Sequence, residues 1–250
     1  MKNKRRLVLL IMFFTLPITL NFFSPYIIID GLFNKFISGA FVVWTIMALS
    51  SLFIGRAFCA YVCPYGAWQM IIDRCIEKPL KKIKGLKILK YLLGVTWISI
   101  IIFALIFNSG YKLKLFYLTE GYVSVDKISN LIGYFTILTL LAVLPIILGK
   151  RATCHYLCPM SILNITGSKI KSKLNVPSLK LKAEPSNCKK CGSCNKSCPM
   201  SIDVMEKVQH NNMESSDCML CGECSKACKF GAVNRVCGKD RVAGKVLEIK

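Results

Sequence analysis

The chain has 250 residues, 54% of them hydrophobic, and carries 34 lysines and arginines against 13 acids, for a formal charge of +21. A mean hydropathy of +0.49 excludes an ordinary soluble domain and a disordered polar chain alike. Fourteen cysteines against two histidines point to thiol chemistry. They leave too few imidazoles for a membrane di-haem centre, and no C-x2-C-H occurs, so no haem is expected.

The apolar residues gather in four stretches, about 7–23, 36–54, 88–107 and 131–149. Each is close to the roughly 20 residues that cross a bilayer core. None contains Asp, Glu or Arg, and Lys90 is their only lysine. The first follows Lys2, Lys4, Arg5 and Arg6, as a signal peptide would, but Asn21-Phe22-Phe23-Ser24-Pro25 offers no small-residue cleavage site; a retained span is expected. Pro17 and Pro145 remove backbone donors inside their stretches and should kink them.

Basic residues alternate between the connecting segments. The N-terminal tail has four, residues 55–90 eight and 150–182 seven, against one in 24–35 and three in 108–130. The positive-inside rule then places both termini and the loop between spans two and three in the cytoplasm of a prokaryotic, multi-pass inner-membrane protein. Most of the charge is thereby a topology signal facing lipid headgroups, and no nucleic-acid partner is expected. Residues 78–90, with Leu and Ile among the lysines, read as an amphipathic segment on the membrane surface.

A duplication follows spans two and four. Arg56-Ala57-Phe58-Cys59-Ala60-Tyr61-Val62-Cys63-Pro64 matches Arg151-Ala152-Thr153-Cys154-His155-Tyr156-Leu157-Cys158-Pro159, so the repeating unit is two spans plus one C-x3-C-P. Cysteines at i and i+4 share one face of a helical turn, and the proline should turn the chain at the second. Cys59, Cys63, Cys154 and Cys158 would suffice for a third iron–sulfur cluster; buried structural thiols, a redox dithiol or another metal are the alternatives. His155, Arg56 and Arg151 are the candidates for a quinone or proton site, since imidazole titrates near neutrality and guanidinium neutralises anions. The plain alternative is a surface histidine and two arginines that set topology.

Residues 167–182, with five lysines and Pro177, read as a basic linker. Beyond it, Cys188, Cys191, Cys194 and Cys198 recur thirty residues on as Cys218, Cys221, Cys224 and Cys228, with Gly192 and Gly222 at matching places. This is C-x2-C-x2-C-x3-C written twice, the spacing of bacterial two-cluster ferredoxins, in which the fourth cysteine of each run serves the other cluster. Two [4Fe–4S] clusters are expected, one on Cys188, Cys191, Cys194 and Cys228, the other on Cys218, Cys221, Cys224 and Cys198. Zinc would more often show C-x2-C pairs across a longer loop, and a disulfide framework an oxidising compartment. Cys75 and Cys237 have no partner at ligand spacing. Pro199 follows the first run, but Lys229 stands at that place in the second.

The expected fold is therefore an all-α, four-helix transmembrane domain over 1–166 and a small α+β two-cluster ferredoxin-like domain over 183–250. This order of motifs resembles the NapH type of membrane ferredoxin, and the membrane cores of NosR-type and CcoG-type proteins. The resemblance covers roughly residues 1–235. What the resemblance implies is a cytoplasmic-membrane carrier exchanging electrons with quinol or a redox partner protein, in the manner of a quinol dehydrogenase component. NosR-type flavin domains and the further C-terminal domain of CcoG-type proteins have no counterpart here. Two other readings of the thiols are thiolate-based copper reduction and a membrane anchor or redox sensor for a soluble oxidoreductase. No phosphate loop or hydrolytic constellation occurs.

Overall fold

The computed structural model describes residues 2–76, 78–118, 123–125, 128–174, 176–238 and 247–248. Asn175 of the expected linker, and residues 239–246, 249 and 250 of the expected ferredoxin domain, lie outside the described residues. Most of the chain is helical. Helices α1 (Lys2–Phe14), α2 (Leu16–Phe23) and α3 (Pro25–Phe33) precede strand β1 (Phe36–Ser38). Then come α4 (Gly39–Ile54), α5 (Ala57–Tyr61), α6 (Pro64–Cys75), α7 (Lys84–Phe107), β2 (Lys112–Lys114), α8 (Ile128–Leu148), α9 (Ala152–Tyr156) and α10 (Met160–Lys173). The C-terminal part has β3 (Ser178–Ala183), α11 (Ser193–Ser197), α12 (Val204–Gln209), α13 (Glu223–Ala227), β4 (Val233–Gly238) and β5 (Leu247–Glu248).

Two helices, Gly85–Phe107 and Ile128–Leu148, are long and apolar enough to cross a membrane, and α1 with α2 would make a third if the bent pair is one span. The bend is 85°. Its cause is local: the Thr15 hydroxyl donates back to the Ile11 and Met12 carbonyls at 3.1 and 3.2 Å, and Pro17, in the first turn of α2, has no N–H with which to continue the ladder. Pro145, by contrast, sits inside an uninterrupted α8. The second stretch is shorter than expected, because Phe36–Ser38 leave the helix and pair in parallel with Lys112–Lys114. Ser38 caps α4, its side chain accepting from the Phe41 N–H at 3.4 Å. The N-terminal half is thus not all-α, and α4 has only 16 residues.

The two repeats interlock. Helix α6, which follows the first cysteine pair, packs on α8 of the second repeat, and α10, which follows the second pair, packs on α4 of the first. Small residues allow the closer crossing: a Cβ on Gly167 would collide with the Ser51 side chain, the kind of contact that lets membrane helices approach. The outer faces of α7 and α8 leave Ile88, Leu92, Val95, Ile106, Ile132, Phe135 and Ile147 exposed. Apolar surface on this scale suits lipid rather than water.

In the C-terminal half the segment read as a linker is structured. Residues 167–173 complete α10, and 178–183 form β3, antiparallel to β4 in register Ser178 to Gly238. Lys171 is buried and donates to the Leu179 carbonyl at 2.9 Å. The surface helix expected at 78–90 also differs: 84–90 are the first turns of α7, while the Lys81 N–H bonds to the Leu148 carbonyl at 2.9 Å.

The two halves are docked together. Arg56 Nη1 donates to the Ser216 carbonyl at 2.8 Å, Tyr61 Oη to the Cys221 carbonyl at 3.3 Å, and the Leu80 N–H to Ser201 Oγ at 3.1 Å. Arg5 pairs with Glu223 at 3.2 Å, both side chains mostly buried, and Ala60 joins Met200, Met219 and Cys221 in one apolar cluster. Gly167→Leu should force α10 off α4. The expected result is a lower melting temperature in detergent and loss of bound iron; an unchanged melting curve would contradict the close crossing.

Candidate iron–sulfur centres

Gly192 and Gly222 start α11 and α13 with φ of 71° and 72°, a left-handed conformation that glycine adopts without steric cost. Each therefore turns its cysteine run in the same way, and the two short helices pack on each other. The consequence is an exchange of fourth cysteines. Cys198, Cys218, Cys221 and Cys224 line one small cavity, with Met200, Ile202, Met213 and Met219 among its apolar walls. Cys188, Cys191, Cys194 and Cys228 line another, beside Met205, Val208, Phe230 and Val233. These are the two crossed sets expected from the spacing.

Backbone donors point at the sulfurs. Ala232 donates to Cys228 Sγ at 3.3 Å; Ile202 and Met200 supply N–H groups to Cys198, and Leu220 one to Cys218. Burial nonetheless pushes the Cys218 thiol up to about 11 and raises Cys198 and Cys224, with neighbouring cysteines adding to it. Exposed Cys191 goes the other way, lowered by the hydroxyl and N–H of Ser193. Buried thiols of this kind become thiolates on binding metal. Among the described residues, no three of His, Cys, Asp or Glu close around a single ion. Soft donors, apolar walls and N–H···S bonds fit a [4Fe–4S] cluster in each cavity.

The N-terminal half holds a third group of thiols. Cys63 is raised by burial and then by the charges of Cys59, Cys154 and Cys158, which brings all four into one electrostatic neighbourhood. Cys158 is pushed up to about 12, again by burial first. Cys154 Sγ donates to Gln69 Oε1 at 3.2 Å, and Asn164 Nδ2 donates to Cys59 Sγ at 3.5 Å. The exchange of α6 and α10 between repeats brings them here.

Buried cations surround these thiols. Arg56, Lys90 and Arg151 are 2%, 1% and 1% exposed. Arg151 faces Cys154 and Cys63, and Lys90 and Arg56 both face Cys158. Arg151 Nε lies 3.4 Å from Asp73 Oδ2, yet Arg151 Nη1, Arg56 Nε and Lys90 Nζ have no hydrogen-bond partner. Arg151 is partly balanced by Asp73 and Arg56 by the Ser216 carbonyl; three buried cations against one carboxylate leave an excess of positive charge whose burial is costly, so the donor set fits an anionic occupant such as a thiolate-ligated cluster. Both arginines are buried rather than at a surface. Lys90, Asp73, Gln69 and Asn164 were not singled out from sequence for any role, although Lys90 was visible as the one charge inside four apolar stretches.

His155 opens to a different space from the thiols, although the charges of Arg56 and Lys90 reach it. It lines a cleft of about 640 Å³ at the seam, with Leu80, Ile83, Lys87 and Asp217. Its pKa is lowered to about 4 by burial, against the opposing pull of Asp217, whose Oδ1 is 3.9 Å from Nδ1. Burial would raise the Asp217 carboxyl, but His155 and Lys87 hold it below its usual range. Cys75 and Cys237 are exposed and lie apart from these centres.

Sequence comparisons identify the cofactor class. Residues 37–87 and 131–177 match the model of a 4Fe-4S binding domain, and 180–229 that of a 4Fe-4S dicluster domain. The chain is an iron–sulfur protein. The first two matches each contain one C-x3-C-P pair, and the third all eight remaining ligand candidates. Over 195 residues, 73% of this chain and 69% of the relative, it is 28% identical to the uncharacterized protein MJ0749 of Methanocaldococcus jannaschii. It is 25% identical over 218 residues to YccM of Escherichia coli K12, provisionally named an electron transport protein; the alignment spans 80% of this chain but 57% of YccM. A second M. jannaschii protein, uncharacterized MJ0750, is 26% identical over 174 residues, 65% of this chain and 66% of its own length. No solved structure matches.

If the fourth cysteines are exchanged, Cys228→Ser should alter the same paramagnetic centre as Cys188→Ser, and Cys198→Ser the same centre as Cys218→Ser. Electron paramagnetic resonance of the reduced variants reads this directly. Cys228→Ser perturbing the Cys218 centre instead would refute the exchange.

Proposed function

We propose that the chain is a membrane-embedded relay of the NapH type, passing single electrons between a quinone pool and a redox partner at the cytoplasmic face. A [4Fe–4S] cluster supplies one-electron storage with little rearrangement; the protein supplies placement and electrostatics. The observation that carries this reading is the order of the thiol sets. The Cys198, Cys218, Cys221 and Cys224 cavity lies against the membrane half through Tyr61, Ala60 and Arg56. The Cys188, Cys191, Cys194 and Cys228 cavity is lined only by residues 188–233. The membrane set, the first cavity and the second thus follow one another from bilayer to solvent.

In this reading Cys59, Cys63, Cys154 and Cys158 hold a third cluster, and Arg56, Lys90 and Arg151 balance its charge. Arg56 also fixes the segment before Cys218 through Ser216, so one guanidinium serves two neighbouring centres. The quinol headgroup would enter the cleft at the seam, where His155 is neutral and beside Asp217. Arg56 and Arg151 do not line that cleft and in this reading serve the thiols rather than the quinone. A bent first span and a short α4, completed by its flanking turns, would make up the four-span, multi-pass arrangement, with the charge asymmetry placing the C-terminal half inside.

Anaerobically prepared protein should contain about twelve irons per chain. Cys59→Ser with Cys154→Ser should lower this to about eight and abolish reduction of the remaining centres by a ubiquinol analogue, while dithionite still reduces them. About eight irons in both proteins would remove the third cluster. Unimpaired quinol-driven reduction would remove its place in the relay.

A further inference from the structure

The two solvent-side cavities differ in what covers them. Cys221 and Cys224 are buried, and Glu223 between them is held by Arg5. Cys191, by contrast, is exposed, and the charge of Lys229 reaches it. Lys189 and Lys190 line the same cavity, as does Phe230, 48% exposed. The segments that carry this cavity's ligands contain no acid from residue 185 to 202 or from 224 to 239. Lys189, Lys190, Lys196 and Lys229 are all exposed. The overall charge of the C-terminal half, eleven basic residues against eight acidic over 183–250, conceals this: among the described residues Asp217 and Glu223 lie at the seam with the membrane half, while Asp203 is engaged by Asn195 and Glu184 by Lys182 and Asn187.

We infer that the face around Cys191, with Lys189, Lys190 and Lys229 set about the Phe230 ring, is the docking surface for an acidic, soluble one-electron carrier protein. This deepens the relay reading and rests on it. Charge complementarity of this kind steers encounter and fixes orientation, and an apolar centre holds the complex once formed. In the exchange one electron leaves one protein's centre and enters the other's; no bond forms or breaks and no proton moves. The basic residues nearer the bilayer face lipid, whereas this cavity is lined by no residue of the membrane half.

The test uses the full chain in phosphatidylcholine nanodiscs, with oxidised flavodoxin, an acidic flavoprotein, as probe and the dissociation constant at about 20 mM salt as readout. Lys189→Glu, Lys190→Glu and Lys229→Glu together should weaken binding at least about tenfold. A control with the same charge change, Lys81→Glu, Lys169→Glu and Lys173→Glu, should weaken it less than about threefold. Carbodiimide cross-links should map to Lys189, Lys190 or Lys229. Equal weakening by both variants, no salt-sensitive binding, or cross-links confined to other lysines would overturn the assignment. So would loss of phosphatidylglycerol vesicle binding in the first variant alone, which would give the face to lipid. Iron content and quinol-driven reduction of the same samples report on the relay separately, so docking can fail while the relay stands.

Discussion

The arrangement depends on neutralising charge in a place without water. Thiols become useful ligands only as thiolates, and at Cys63 and Cys158 burial opposes ionisation. Three buried cations beside them carry the opposite cost, with two of their nitrogens and the Lys90 ammonium left without hydrogen-bond partners. Either group alone would be unfavourable in a low-dielectric interior, but together they favour an anionic occupant. The interlocked repeats follow from this requirement. Without the packing of α6 on α8 and of α10 on α4, Cys59 and Cys154 would sit in separate hairpins with no common centre.

The same economy joins the membrane half to the ferredoxin half. Arg56 and Tyr61 belong to the first C-x3-C-P repeat yet bond to backbone carbonyls around Cys218 and Cys221. A flexible tether would let the distance between the thiol sets vary; these contacts, with the β3 strand entering directly from α10, fix it. The seam is also where the titratable groups outside the thiol sets meet: His155, Asp217 and Lys87 share one cleft, while Arg5 and Glu223 close another side.

Much of the candidate site was legible from residue spacing. A doubled seven-residue run with matched glycines implies two similar turns, and two similar turns facing each other exchange their fourth cysteines. The grouping of Cys59 with Cys154 was suggested by duplication alone, since both pairs emerge on one side. Less legible were features set by tertiary contact. Lysines at 169–182 look like a solvated tether, yet Lys171 is buried and satisfied by a carbonyl. Phe36–Ser38 read as helix until the distant strand Lys112–Lys114 pairs with them, which no local pattern reveals. Pro17 marked a kink in the first stretch but not its 85° angle. Lys90 stood out as a lone charge, but only its placement beside Arg56 and Cys158 gives that charge a reason.

The central claim is that three thiol-bound clusters stand in file, the Cys198 set in the middle. Electron paramagnetic resonance of the fully reduced protein measures it through magnetic coupling between centres. The account requires the middle centre to couple to both others, so that removing it by Cys224→Ser leaves two uncoupled signals. Two coupled signals surviving that substitution, or three independent ones in the unaltered protein, would contradict it.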